Sequence, residues 1–177
     1  TGPRLGVLVT AGEEGSLYGE GDDDSTVADS LVDPSMIEGI EERVDPDGTV
    51  RTEPDPEAVE RAVKRLQENG ARLVVVCLGN AYANDENERR VKNAVTDAYP
   101  GHYLGALPTL ASHEVTARPG DRRRLNTAVL NAYIHRPMKS ALYKAEDQVR
   151  ERGYERPLFV GHSNGGMARV AKTVAIN

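Results

Sequence analysis

The residues that most constrain this chain are Leu73-Val74-Val75-Val76-Cys77-Leu78, an apolar run with neither alternation nor helical spacing. A short run rich in β-branched side chains reads as a strand, and apolar groups on both sides of its pleat require cover on both faces. A sheet with one wet face would alternate. The run therefore predicts a central strand in a mostly parallel sheet flanked by helices, an α/β fold.

Its surroundings supply the helices. Asp55-Pro56 reads as an N-cap followed by proline at the first helical position, and Val59, Val63 and Leu66 recur at helical spacing before Asn69-Gly70 stops the helix. Beyond the run, Gly79-Asn80-Ala81-Tyr82-Ala83-Asn84-Asp85 leads into a second helix, capped near Asn84 or Asp85 and buried through Val91, Ala94 and Val95. Leu5-Gly6-Val7-Leu8-Val9-Thr10 is a further buried strand, and residues 102–108 form a third central segment. From Asp121 the pattern is helical through Leu125, Val129 and Tyr133, with Pro137 expected to kink or split it. A return to an apolar run at Leu158 makes this connection a crossover of the kind that builds parallel sheets. Pro46-Asp47-Gly48, between short polar-apolar segments, predicts a small β-hairpin.

The 177 residues suffice for one core, so residues 1–177 are expected to form a single α/β domain. Residues 13–35 are acidic and glycine-rich and read as a mobile loop with little to add to a core. Within it Asp22, Asp23 and Asp24 form a charge run, which a cation would need to gather into a convergent oxygen set. A net charge of −6 and an isoelectric point near 5.3 argue against a nucleic-acid partner, and Arg122-Arg123-Arg124 reads as a solvated helix face. No apolar run approaches the ~20 residues of a membrane span, and the chain opens without a leader pattern, so no membrane partner and a cytoplasmic location are expected. The lone Cys77 lies inside the central run as a small buried hydrophobe. The chain starts without methionine and stops at Asn177 within a helical signal, and so looks like an internal piece of a longer subunit.

Three places carry candidate chemistry. Asn80, Tyr82 and Asn84 follow the central strand, where ligand crevices of parallel sheets lie, although the same residues also suit shaping and capping the turn. His113 and Glu114 follow the third segment; adjacent strand residues diverge, so hydrogen bonding to a loop or substrate fits them better than joint catalysis. Gly161-His162-Ser163-Asn164-Gly165 matches the G-x-S-x-G nucleophile elbow at what reads as a strand-to-helix turn. A hydrolase triad would need an acid and then a histidine further along, and residues 167–177 contain neither. Ser163 thus reads as a polar loop residue and Gly165 and Gly166 as points of close backbone approach; no residue is assigned the chemical step.

Taken in order, Glu42-Arg43-Val44-Asp45-Pro46-Asp47-Gly48, the strand Val74-Val75-Val76-Cys77-Leu78 with Asn84 and Glu86-Asn87-Glu88 beyond it, Ser112-His113-Glu114-Val115, Thr127-Ala128-Val129-Leu130-Asn131-Ala132-Tyr133 and His162-Ser163-Asn164-Gly165-Gly166 resemble the hydantoinase/oxoprolinase A-type subunit. The resemblance is collinear over nearly the whole chain. His162, where the cyclic-amide branch more often carries glutamine, makes it most similar to the nucleotide-binding subunit of the acetone carboxylase branch.

The resemblance implies part of an actin/hexokinase/Hsp70-like (ribonuclease H-like) fold. It also implies an ATP-dependent ketone carboxylase that activates a small ketone and bicarbonate by phosphorylation, with a second large subunit as partner. ATP and Mg²⁺ are implied for the full subunit and Mn²⁺ for the partner. The family's Asp-Gly-Gly-Thr phosphate loop and its later glycine-rich loop are not in this sequence, so the chain alone is expected to be inactive. His113, Glu114, Asn131, His162, Ser163, Asn164, Gly165 and Gly166 are the residues expected to line or shape a cleft. The alternatives are a module of the ATP-dependent hydantoinase/oxoprolinase branch, which opens cyclic amides, and a scaffold whose surface binds the partner.

Overall fold

The structure, a computed structural model, describes residues 2–15, 27–100, 106–161 and 166–170. Strand β1 (Leu5–Thr10) lies at the centre of the molecule, followed by helix α1 (Val27–Leu31) and strand β2 (Ile37–Ile40). A hairpin of β3 (Arg43–Val44) and β4 (Val50–Thr52) leads to α2 (Pro56–Glu68), β5 (Leu73–Cys77), α3 (Glu86–Ala98), β6 (Thr109–Ala111), the one-turn α4 (Ser112–Val115) and the long α5 (Asp121–Glu151). Strands β7 (Phe159–Gly161) and β8 (Met167–Arg169) close the described chain.

The main sheet has the order β2-β1-β5-β6, and all of its pairings are parallel. β1 and β5 run in register from Leu5 opposite Leu73 to Val9 opposite Cys77. Every residue of β5 is buried, as its unbroken apolar run requires, because α2 and α3 form one helical layer and α1 and α5 another. Side-chain size sets the approach of α2: a Cβ on Gly6 of β1 would lie 3.0 Å from Leu66 Cδ1, so glycine lets helix and sheet close. The ends of α2 follow local chemistry, with the Asp55 carboxylate accepting from the Glu57 and Ala58 amides, both at 3.2 Å, and Gly70 beyond Asn69 at φ +96°. The β3–β4 hairpin forms about Gly48 at φ +87°, as the Pro-Asp-Gly turn predicts.

Four expectations need correction. Part of the supposed loop 13–35 is ordered structure: α1 and a 3-10 turn at Pro34–Met36, capped by Asp33, bring Ala28, Val32 and Met36 into the core. Ala28 and Val32 are one helical turn apart at the end of α1, and the 3-10 turn delivers Met36 separately. Asp22, Asp23 and Asp24 lie outside the described residues. The third strand is residues 109–111 rather than 102–108; pairing begins at the Pro108 carbonyl, which accepts from the Val74 amide at 2.9 Å. Helix α5 is not split at Pro137 but runs through it as one element of 31 residues. Finally, the run after Leu158 does not enter the parallel sheet. β7 pairs antiparallel with β8, where a helix was expected. With Phe159 and Gly161 exposed, three alternating residues cannot serve as a strand covered on both faces.

Candidate functional site

Strand order marks one point where a ligand crevice is expected. The chain leaves β1 toward β2 on one side and leaves β5 toward β6 on the other, so β1 and β5 are the switch point, and ligands of open parallel sheets bind outside the carboxyl ends of such strands. Thr10 ends β1 there, and Gly79 and Asn80 follow β5. The Gly79 amide donates to Thr10 Oγ1 at 2.9 Å, and the Thr10 hydroxyl donates to Glu42 Oε1. Asn87 Nδ2 donates to Glu42 Oε2 at 2.7 Å and to the Thr52 carbonyl, fixing the β3–β4 hairpin over this edge. The Asn80 amide donates to the Asp121 carboxylate at 3.2–3.3 Å, while its side chain donates to the Val44 carbonyl. Asn80 takes φ 55°, the left-handed region that asparagine tolerates best among residues with side chains.

The crevice is acidic. Burial pushes the Glu42 carboxyl above its usual range against hydrogen bonds from Thr10 and Asn87 that pull it down, and the charges of Glu88 and Asp121 push it further up. Glu13 is raised too, first by burial and then by Asp121 and Glu42.

Behind the crevice stands a buried ionic network that no single motif announces. Glu88 on α3 is fully buried and accepts from the Leu78 amide (2.9 Å), Ser112 Oγ (2.6 Å), the His113 amide (3.0 Å) and His113 Nδ1 (2.7 Å). Arg124 on α5, also buried, donates to the Leu78 carbonyl at 2.5 Å and to Ser112 Oγ at 3.0 Å, and its Nη1 lies 2.8 Å from Asp121 Oδ1. Both backbone groups of Leu78, just past the end of β5, are thereby satisfied without a neighbouring strand. Arg124 is thus not part of a solvated face as its triplet suggested. The sequence signal for Asn87 and Glu88 is their spacing of four and three from Val91, the first buried apolar residue of α3, which turns them inward with Val91 and Val95.

The expected cleft residues separate. His113 and Glu114 lie on one turn of α4 and, with Arg89, Lys92 and Asn93, line an open groove of about 450 Å³. With Glu88 accepting from Nδ1–H, His113 turns Nε2 toward Asp85 Oδ2 at 3.8 Å. Arg89 and His113 hold the Asp85 carboxyl below its usual range, the hydrogen bond from Arg89 most of all. Glu114 bonds Lys92 Nζ at 2.5 Å and the Ala111 amide at 3.1 Å. The imidazole is oriented by a carboxylate, and Glu114 ties α4 to α3. Asn131 does not join them, because its side chain donates to the Thr127 carbonyl one turn back on α5. Gly166 is exposed before β8, and His162, Ser163, Asn164 and Gly165 lie outside the described residues. Asn84 ties down the hairpin and the start of α3, donating to the Gly48 carbonyl and accepting from the Glu86 amide. Burial pushes the Cys77 thiol up to about 12, so it stays an inert buried hydrophobe.

Among the described residues no three His, Cys, Asp or Glu side chains gather to hold a metal ion, and no helix is long and apolar enough to cross a membrane. The described residues do not form an Mg²⁺–nucleotide cradle.

Residues 1–99 match the family model described as the hydantoinase/oxoprolinase N-terminal region, and residues 124–176 match that described as hydantoinase/oxoprolinase. The acetophenone carboxylase gamma subunit of Aromatoleum aromaticum is 33% identical over 98% of this chain and 26% of its own length. The acetone carboxylase beta subunit of Xanthobacter autotrophicus is 29% identical over 77% of this chain and 19% of its own length. The crystal structure of an ATP-dependent caprolactamase from Pseudomonas jessenii superposes with a TM-score of 0.82 at 27% identity, over 100% of this chain and 27% of that one. The chain spans between 19% and 27% of the length of these relatives. Two successive family regions matched in order, over a parallel sheet of the same fold, make this chain a member of the hydantoinase/oxoprolinase family.

Proposed function

We propose that this chain is a module of the nucleotide-binding subunit of an ATP-dependent ketone carboxylase, which phosphorylates a small ketone and bicarbonate and works with a second large subunit. The observation that carries this reading is similarity to the acetophenone carboxylase gamma subunit along 98% of the chain. In this reading ATP and Mg²⁺ are held by phosphate loops elsewhere in the full subunit, and the reaction is cytoplasmic. The module contributes the switch-point crevice, whose wall is held by the hydrogen-bonded pair Thr10 and Glu42, with Glu13 beside it. His113 and Glu114 line the groove beside α3, and in this reading His162, Ser163, Asn164, Gly165 and Gly166 contribute to substrate binding in the full subunit.

The likeness to the caprolactamase structure favours a second reading, ATP-driven opening of a cyclic amide. Nucleotide turnover by the full subunit with its partner distinguishes the two. Turnover that requires both ketone and bicarbonate supports the carboxylase, whereas turnover stimulated by a lactam alone moves the protein to the amide branch. Asn164→Ala with unchanged binding and turnover would leave this module a scaffold. The 177-residue chain alone is expected to turn over no ATP; turnover that Ser163→Ala abolishes would refute that expectation.

A further inference from the structure

The core stops part-way along α5. The buried residues of α5 end at Ala132, Tyr133 still packs against the core, and from residue 134 to residue 169 no described residue is buried, Val170 just beyond β8 being buried again. This stretch is nevertheless not polar throughout. Ile134, which is exposed, and Met138, Leu142 and Val149, which are half-buried, recur at spacings of four, four and seven along one side of the helix, an apolar stripe outside the core cluster. The β7–β8 hairpin repeats the pattern. Phe159 pairs with Arg169 and Gly161 with Met167, so alternation sets Phe159 and Met167 on one face, where they are 52% and 73% exposed. Two strands of three residues form a hairpin that is marginal in water unless another element packs on it.

Two observations indicate what covers these elements. The uncovered stretch falls within residues 124–176, which match a family region distinct from the N-terminal region at residues 1–99. The chain also accounts for only 26% of the acetophenone carboxylase subunit that it follows almost end to end. We propose that the distal half of α5 and the Phe159–Met167 face of the hairpin dock against further sequence of the same polypeptide. They are the first elements of a second apolar core, completed by the rest of the hydantoinase/oxoprolinase region. This inference rests on the reading of the chain as a module of a larger subunit.

Hydrogen exchange in peptides covering residues 133–151 and 159–170 tests it, measured on the full subunit and on the 177-residue chain. Exchange is expected to be at least ~10-fold slower in the full subunit, and Phe159→Asp with Met167→Asp should return it to the rate of the shorter chain. Unchanged exchange in β1 and β5 verifies that the variant is folded, and the milder Phe159→Ala should give a partial effect in the same direction. Equal rates in both proteins overturn the proposal. So does protection that appears as the 177-residue chain dimerises, or only after the second large subunit is added. Ketone-dependent nucleotide turnover on the same preparation separates the two readings. Protection without turnover refutes only the carboxylase assignment, and turnover without protection refutes only the docking face.

Discussion

Glu88 decides more of this structure than any other single side chain. Its two oxygens face four donors, two of them backbone amides that cannot reverse direction. In Glu88→Gln the new NH₂ must point at Leu78 N–H or His113 N–H, whichever way the amide is turned, and Arg124 loses its buried counter-charge. We expect a loss of about 3 kcal/mol, read from urea unfolding. A loss below ~1 kcal/mol would show that the network is solvated rather than buried. Glu42 carries the opposite sign. Its carboxyl titrates above the ordinary value of 4.5 in the folded state, so the folded protein binds that proton more tightly than the unfolded chain. The associated stability is fully present below 4.5 and is lost as pH rises through the folded value. Glu42→Gln retains an acceptor for Asn87 and removes this dependence. Its melting temperature relative to the parent should rise from pH 4 to pH 7, and a constant difference would contradict the assignment.

At the scale of elements, the secure helix is secure for local reasons. Asp55, Pro56 and the Asn69-Gly70 stop all act within a few residues of the ends of α2, and the apolar spacing in between sets the face it buries. Asp55→Ala should cost about 1 kcal/mol by thermal melting. The same local reading failed in two places. Pro137 carries no amide hydrogen and was expected to kink or split the helix, yet it sits exposed mid-way along α5, which continues through it with several turns on either side. The apolar run after Leu158 has strand composition, but composition does not reveal the partner, and β8 rather than the main sheet takes it. The five-residue α1 and the 3-10 turn after it are too short for apolar spacing to reveal, so the acidic composition around Ala28, Val32 and Met36 dominated the reading.

At the scale of the molecule, burial divides the chain. Hydrogen exchange of the 177-residue protein should be slowest in β1 and β5, paired on both sides and covered on both faces, and fastest from residue 133 to residue 151. Comparable protection along all of α5 would mean that its distal half is packed. The sequence alone determined the class of fold, because a continuous apolar run has to be covered on both faces, and it determined the hairpin and α2, because turn and cap chemistry acts over two to four residues. The order of its motifs also pointed to the family. Only the tertiary structure decided which side chains meet. Thr10, Glu42, Asn80, Asn87 and Asp121 come from five separate segments and converge because strand order sets β1 beside β5. His113 is drawn to Glu88, 25 residues away, while Asn131 keeps to its own helix. Period and propensity describe neighbours along the chain, whereas a site is made by neighbours across the sheet, whose pairing depends on the burial of the whole core.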